Sequence, residues 1–356
     1  MKHKGNPILT TPAKKNMSVV ELVESYFNAY NSARLNEICQ LLAKKVINDD
    51  VVVGLSLTGA LTPAGLGSTC LVPWIEHGFV DYIISTGANL YHDMHFGLGY
   101  KLYKNSPFAD DIALQKEKLV RIYDIVMDND VLDDTNQYIA SAVCQPEFQK
   151  KMPSSEIHYL LGEYLAKKEE ELGTCGASML AAAQKQGIPV YTPSPCDSAI
   201  GLDIAETHLK KGIKTEIDVI RDVNEVTAIA LMAKQTAKSG VIILGGGSPK
   251  NFILQTIPQL NDLIHEPIKG HDYFIQITDA RSDTGGLSGA TPSEALSWGK
   301  INPDMLPQSV VAYIDITIAF PIITSYILTK CPPRKSKRLY DKRDHMLDNL
   351  SQNIKK

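Results

Sequence analysis

The sequence predicts an α/β fold built on a doubly wound, mostly parallel sheet. Two observations carry this. Six short runs rich in β-branched residues recur along the chain, and each is almost continuously apolar, as strands covered on both faces must be. Stretches with helical periodicity lie between them, and strand–helix alternation is how parallel strands are joined. With 356 residues, 44% of them hydrophobic, 21% charged and a net charge of −4, the composition is that of an ordinary globular chain.

Taken in order, Ser18 and Glu21 form a capping box, and Leu22, Tyr26 and Phe27 follow as an apolar stripe, so a helix starts there. The strands are then "VVVGLSL" from Val51, "VDYIIS" from Val80, "IPVYTP" from Ile188, "GVIILGG" from Gly240, "YFIQIT" from Tyr273 and "VVAYIDI" from Val310. The span of about 90–186 reads as largely helical, an insertion between strands. Ile217, Ile220, Val223 and Val226 fall on one stripe, predicting a helix opened by Thr215.

Several function classes are disfavoured. Val51 to Ile75 holds no charged residue, but Pro63, Pro73 and four glycines fit a strand, a loop and a helix better than a membrane span. The basic end "PPRKSKRLYDKRDHMLDNLSQNIKK" interleaves acids and has no aromatic pattern beyond Tyr340, so a solvated or loosely docked tail is expected, not a nucleic-acid grip. Six cysteines without CxxC or zinc spacing, and no apolar export core, point to reduced thiols in a cytoplasmic protein. His92 and His95 have helical ligand spacing but no third ligand, so structural or substrate-facing roles are favoured over metal, and no metal is expected.

In an open parallel sheet, ligands bind beyond the carboxyl ends of the strands. Four such ends carry ligand-like loops: "SLTGALTPAGLG", "STGANL", "SPCDSAIGLD" and "LGGGSPKN". Gly245 to Gly247 before a helix start would let backbone N–H groups approach an anion, although a tight turn without a ligand fits as well. Neither a complete dinucleotide fingerprint nor a P-loop occurs. The segment "TDARSDTGGLSGATPSEALSWGK" gathers Asp279, Asp283 and Glu294 around glycine turns, then Trp298 and Lys300. It fits a surface ion-pair loop, or a polyamine site in which carboxylates meet ammonium groups and the indole meets methylenes. In the second case, desolvation beside Trp298 would favour a neutral, nucleophilic Lys300.

The stretches "HGFVDYIISTGA", "GVIILGGGSPK", "SGATPSEALSWGKI" and "YIDITIAFP" resemble deoxyhypusine synthase, and the resemblance runs from about Ser18 to Lys330. It implies one catalytic domain over 18–330, between a flexible segment 1–17 and a basic tail 331–356. It further implies a Rossmann-like NAD-binding fold and a homotetramer with active sites at a subunit interface. In such enzymes NAD oxidises spermidine, a lysine takes the aminobutyl group as an imine, and an acceptor amine receives it. By this resemblance Lys300 is the imine-forming lysine, with Glu294, Trp298, Asp203 and Asp283 in the polyamine pocket. Gly59, Ala60, Leu61, Thr62, Thr86, Gly87, Asp197, Gly245, Gly246, Gly247, Thr278, Asp279 and Asp315 fall on cofactor-contacting stretches.

Four positions depart from the pattern. Tyr91 and His92 stand where the eukaryotic enzyme has two glutamates, and Asn251 where it has a histidine thought to move protons. Asp279 replaces a small residue, and Leu287 replaces an aspartate with a glycine inserted nearby. Tyr91 and Asn251 are thus substrate-facing candidates, and His92 a candidate for the missing proton transfer. Fewer acids imply a changed donor or acceptor, with putrescine the favoured acceptor and homospermidine the product. The alternatives are modification of a lysine of translation initiation factor 5A, and a non-catalytic regulatory paralogue.

Overall fold

Val51, Val53, Leu55 and Leu57 alternate with Val52, Gly54 and Ser56, and the first set enters one apolar core while Val52 enters the other. Ile242 and Leu244 oppose Val241 and Ile243 in the same way, as do Ile275 and Ile277 against Phe274. A period of two with both phases apolar is the signature of a sheet covered on both faces. The computed structural model, which describes residues 5, 7, 8, 10–265 and 267–354, has this sheet at its centre.

Its strands, numbered within that sheet, are β1 (Val51–Leu57), β2 (Tyr82–Ser85), β3 (Val190–Tyr191), β4 (Lys238–Leu244), β5 (Tyr273–Ile277) and β6 (Ser309–Ala312). All neighbours are parallel and the spatial order is 3-2-1-4-5-6, as in dinucleotide-binding folds. The order reverses between β1 and β4, so a crevice opens past their carboxyl ends. The six strands are those the apolar runs predict.

The first helix, Val19–Tyr26, starts as expected, with Ser18 Oγ accepting from the Glu21 N–H at 3.1 Å. Of the segment expected to be flexible, residues 1–4, 6 and 9 lie outside the described residues. Between β2 and β3 the chain is largely helical, with long helices Asn129–Ala142 and Ser154–Leu172. A small antiparallel sheet of Tyr103–Lys104, Leu119–Ile122 and Ile125–Asp128 interrupts that span. Among the described residues no helix is long and apolar enough to cross a membrane.

One expectation is corrected and a second is narrowed. The helix predicted to open at Thr215 is Val219–Thr236, capped by Asp218, whose side chain accepts from the Arg221 N–H. Thr215 is tied elsewhere, its hydroxyl donating to Phe148 O at 2.9 Å, and Glu216–Ile217 pairs as a short strand with Lys151–Met152. Of the two readings left for the basic tail, solvated or loosely docked, the structure takes the docked one. Leu339, Met346 and Leu350 are buried in one core, Arg334 pairs with buried Asp81 at 3.2 Å, and Arg343 donates to Ser155 Oγ at 2.9 Å. Pairing with buried partners is what lets these cations leave water.

Candidate active site

Past the strand ends lies a cleft of about 480 Å³, lined by Thr58 to Ala60 after β1, Thr86 to Ala88 after β2, Thr192 to Ser194 and Asp197 after β3, and Ser248 and Pro249 after β4. The helix Gly87–Gly97 begins here, and its N-cap Thr86 makes no side-chain cap. Thr86 Oγ1 instead donates to Gly59 O at 2.6 Å, stitching the first two loops together. Gly59 has φ +76°, a conformation that favours glycine, and a Cβ there would meet no atom within 4 Å, so the turn faces open space. An uncapped helix N-terminus beside an open glycine turn suits the pyrophosphate of a dinucleotide.

Other cofactor candidates sit differently. Leu61 and Thr62 are buried behind the cleft, and the Thr62 hydroxyl donates to Asn89 O at 2.8 Å. The three glycine N–H groups that the sequence offers to an anion are committed inside the chain: Gly245 to Ile277 O at 2.8 Å, Gly246 to Thr58 Oγ1 at 3.2 Å and Gly247 to Ser288 Oγ at 3.0 Å. Thr278 and Asp279 follow β5 and Asp315 follows β6, on the same sheet edge but outside the cleft lining. Asp315 caps its helix, accepting from the Thr317 N–H at 2.8 Å.

The triple glycine thus shapes a second pocket. A Cβ on Gly246 would stand 2.3 Å from Ser288 Cα, so glycine is needed for packing, not for φ. Gly246→Val should displace the 287–289 turn, lower the thermal midpoint by an overpacking cost of about 1–3 kcal/mol and impair the cleft and the neighbouring pocket together. An unchanged melting curve would exclude this coupling.

That neighbouring pocket, of about 270 Å³, is lined by Lys250, Asn251, Leu254, Gln255, Leu287, Ala290, Glu294, Ala295, Trp298 and Lys300. Thr291 caps the helix Pro292–Ser297, and Gly299 at φ +69° ends it, with the Lys300 N–H donating to Ala295 O at 3.0 Å. The His271 N–H donates to Lys300 O, also at 3.0 Å, fixing the lysine backbone against the sheet. Lys300 Nζ donates to Asn251 Oδ1 at 3.2 Å and lies 5.5 Å from the Trp298 ring centre. Burial pulls the Lys300 ammonium below its ordinary range, and the Glu294 carboxylate pulls it back up. Asp283 is not in this pocket, being paired with Arg281 in an exposed loop at 2.5 Å.

Lys250 was not singled out by the sequence reasoning. It is 3% exposed, and its Nζ donates to Ala290 O at 2.7 Å, Gln276 Oε1 at 3.0 Å and Ser288 O at 3.3 Å. Burial, with the Lys300 charge, pushes it down to about 8 against the pull of Glu294. Its three protons are nonetheless held by three acceptors, so it braces the 288–290 loop, whereas Lys300 has one contact and space before it. The available signal was its place on the stripe Lys250, Ile253, Leu254, Ile257, where a lysine is out of keeping with its neighbours.

Tyr91, His92 and Asp203 form a third group, where the helix Gly87–Gly97 meets Asn129–Ala142 and Ala199–Lys211. With its amide nitrogen turned inward, Asn136 donates to Tyr91 Oη at 2.7 Å and to Asp203 Oδ2 at 3.3 Å. Burial, then the Glu206 charge, raises the Asp203 carboxyl to about 7. His92 contacts His95, and burial lowers its pKa. Among the described residues, no hydrogen bond joins this group to the Lys300 pocket.

Comparison with known proteins gives a consistent picture. The family model for deoxyhypusine synthase matches residues 21–327. A deoxyhypusine synthase-like protein of Nostoc punctiforme is 53% identical over 98% of this chain and 90% of its own length. A Methanosarcina acetivorans protein described as a probable deoxyhypusine synthase is 36% identical over 87% of this chain and 86% of its own. The crystal structure of a candidate deoxyhypusine synthase from Entamoeba histolytica superimposes with a TM-score of 0.57 at 18% identity, covering 91% of this chain and 97% of that one, a likeness of fold.

Proposed function

The chain belongs to the deoxyhypusine synthase family, and from that premise we propose that it is an NAD-dependent 4-aminobutyl transferase. It moves the aminobutyl group of spermidine through an imine on Lys300 to an acceptor amine, with putrescine as acceptor and homospermidine as product. One observation carries the reading. Pro193 and Ser248 line both the strand-end cleft and a groove of about 260 Å³, and Asn251, Gln255 and Leu287 line both that groove and the Lys300 pocket, so the two sites are contiguous.

Gly59, Ala60, Thr86, Gly87 and Asp197 would hold the cofactor, with Leu61, Thr62 and Gly245 to Gly247 shaping the cleft from behind. When bound, NAD supplies a hydride acceptor for the donor amine and a hydride source for the product. Lys300, partly desolvated, attacks the oxidised donor carbon and 1,3-diaminopropane leaves. Glu294 pairs with an ammonium and the Trp298 indole covers the methylenes. The acceptor nitrogen then replaces Lys300 on the same carbon.

Tyr91, His92 and Asp203 face the acceptor from a second copy of the chain, which makes the site complete only in an oligomer. Two carboxylates, Glu294 and Asp203, suit a small diamine with two ammonium groups. Products formed from spermidine, NAD and putrescine, with and without the initiation-factor acceptor, test the reading by mass spectrometry. Homospermidine is expected. Modified protein lysine without homospermidine would overturn the choice of acceptor.

Asp203 gives a pH prediction. Its folded value of about 7 exceeds the ordinary 3.8, so the stability it contributes belongs to the protonated form and is lost as pH rises through about 7. The ionised form is the one that pairs with an ammonium. Amine affinity should therefore climb from pH about 6 to about 8 and then level off. Calorimetry on Lys300→Ala, with Asp203→Asn in the same background, should show the climb in the first and not in the second.

A further inference from the structure

His92 is the first member of a hydrogen-bonded row. Its Nδ1 lies 3.0 Å from His95 Nε2, His95 Nδ1 lies 2.8 Å from Thr135 Oγ1, and that hydroxyl donates to Val131 O at 2.7 Å. His95 and Thr135 are both 0% exposed. The last link fixes the rest. Two oxygens at 2.7 Å need a proton between them, and the threonine hydroxyl has only one. Thr135 Oγ1 must then accept from His95 Nδ1–H. His95 Nε2 is left with its lone pair and accepts from His92 Nδ1–H. His92 Nε2 carries a lone pair in turn, and among the described residues it has no partner.

We propose that Thr135 and His95 are positioning residues that hold His92 in the Nδ1–H tautomer, so that its Nε2 takes the proton released by the acceptor amine. The role rests on the aminobutyl-transfer reading above. The acceptor nitrogen forms its bond to the imine carbon and loses a proton to Nε2, which turns His92 into an imidazolium. The imidazolium keeps its Nδ1–H on the His95 lone pair across the 3.0 Å contact, and no proton travels beyond the row, because Val131 O cannot take one. Tyr91 packs edge-on against both rings, at 5.4 Å from His92 and 4.9 Å from His95, which keeps the two imidazoles in line. The row needs a neutral His95, whose Nε2 lone pair accepts from His92, and Nε2 of His92 can take a proton only while that ring is neutral; burial favours the neutral state for both. Asn251, a neutral amide beside Lys300, cannot serve as the base.

The test uses the full chain with histidine labelled at both ring nitrogens. Nitrogen NMR of the wild type should give His92 and His95 each protonated at Nδ1 and bare at Nε2. Thr135→Val, close in volume, should abolish that pattern for the pair, and Thr135→Ser should restore it. In single turnover, Lys300 loaded with the aminobutyl group would be chased with putrescine. Thr135→Val should slow unloading about tenfold or more, leave loading within about twofold, and be rescued by Thr135→Ser. A wild-type His92 protonated at Nε2 would overturn the proposal, as would unloading unchanged in Thr135→Val. The NMR result does not depend on turnover. Absence of any loading on Lys300 in the wild type would therefore refute the transfer reading itself, separately from the tautomer.

Discussion

Lys300→Ala should lose aminobutyl transfer by about ten-thousand-fold or more while binding NAD like the parent. The expectation rests on how separately the side chain and its backbone are held. The turn around residue 300 is built from main-chain bonds, Lys300 N–H to Ala295 O and His271 N–H to Lys300 O, each 3.0 Å, so truncation leaves it standing. The side chain makes one hydrogen bond, to Asn251, and its loss strands no buried partner, since Asn251 is only half-buried. The strand-end cleft shares no lining residue with the Lys300 pocket and meets it only through the intervening groove. Lys300→Arg should be equally inactive, because a guanidinium stays protonated and cannot form the imine. Product assay and NAD titration on the same preparations check both halves. Weakened NAD binding in proportion to lost turnover would mean that the lysine acts through the cofactor site.

The second large effect is a gain. Lys300→Ala and Asp203→Ala should each be inactive alone, yet active when co-expressed in one assembly. The expectation follows from the proposed reaction, in which a second copy brings the Asp203 and His92 group to the Lys300 pocket; among the described residues no hydrogen bond ties the two within one chain. Exposed apolar residues surround the helices that carry Asp203 and the groove: Leu202 and Leu209 on Ala199–Lys211, and Val219, Ile220 and Val223 on Val219–Thr236. Such a surface suits burial against another copy. With random pairing and two sites per interface, half of the pairs are mixed and carry one intact site, so about a quarter of wild-type activity should return. No recovery in purified mixed assemblies would place both groups in one chain's site or remove Asp203 from the chemistry.

What could be read from sequence follows from how strongly each element is constrained. The six central strands were legible because both faces are covered, leaving unbroken apolar runs that have no better reading. The small sheet within 103–128 was not. Its strands are two to four residues long, with Tyr103–Lys104 exposed and only Val126 and Met127 buried, and its hairpin turns through Tyr123 at φ +53°, without the Asn-Gly or Asp-Gly pair that marks such turns. The tail stayed open between solvated and docked because its charges dominate its composition, while the partners that neutralise them, Asp81 and Glu225, lie far away in sequence. In the candidate site, Lys300, Trp298, Asn251 and Glu294 were found on motif grounds and do share a pocket. Asp283 carried the same charge and spacing signal but pairs with Arg281 in its own exposed loop. Lys250 and Thr135 escaped because each acts through partners that only the fold supplies.

The central claim is a covalent bond at one nitrogen. Borohydride added during turnover with spermidine and NAD should fix an aminobutyl group on the enzyme, and peptide mass spectrometry should locate it on Lys300. Lys250 lines the same pocket and would be the nearest competitor, so the fragment spectra must separate the two. A mass increment on Lys300, absent without NAD and absent in Lys300→Ala, is the predicted result. Label on Lys250 or any other lysine, or an unlabelled enzyme that still forms product, would contradict it.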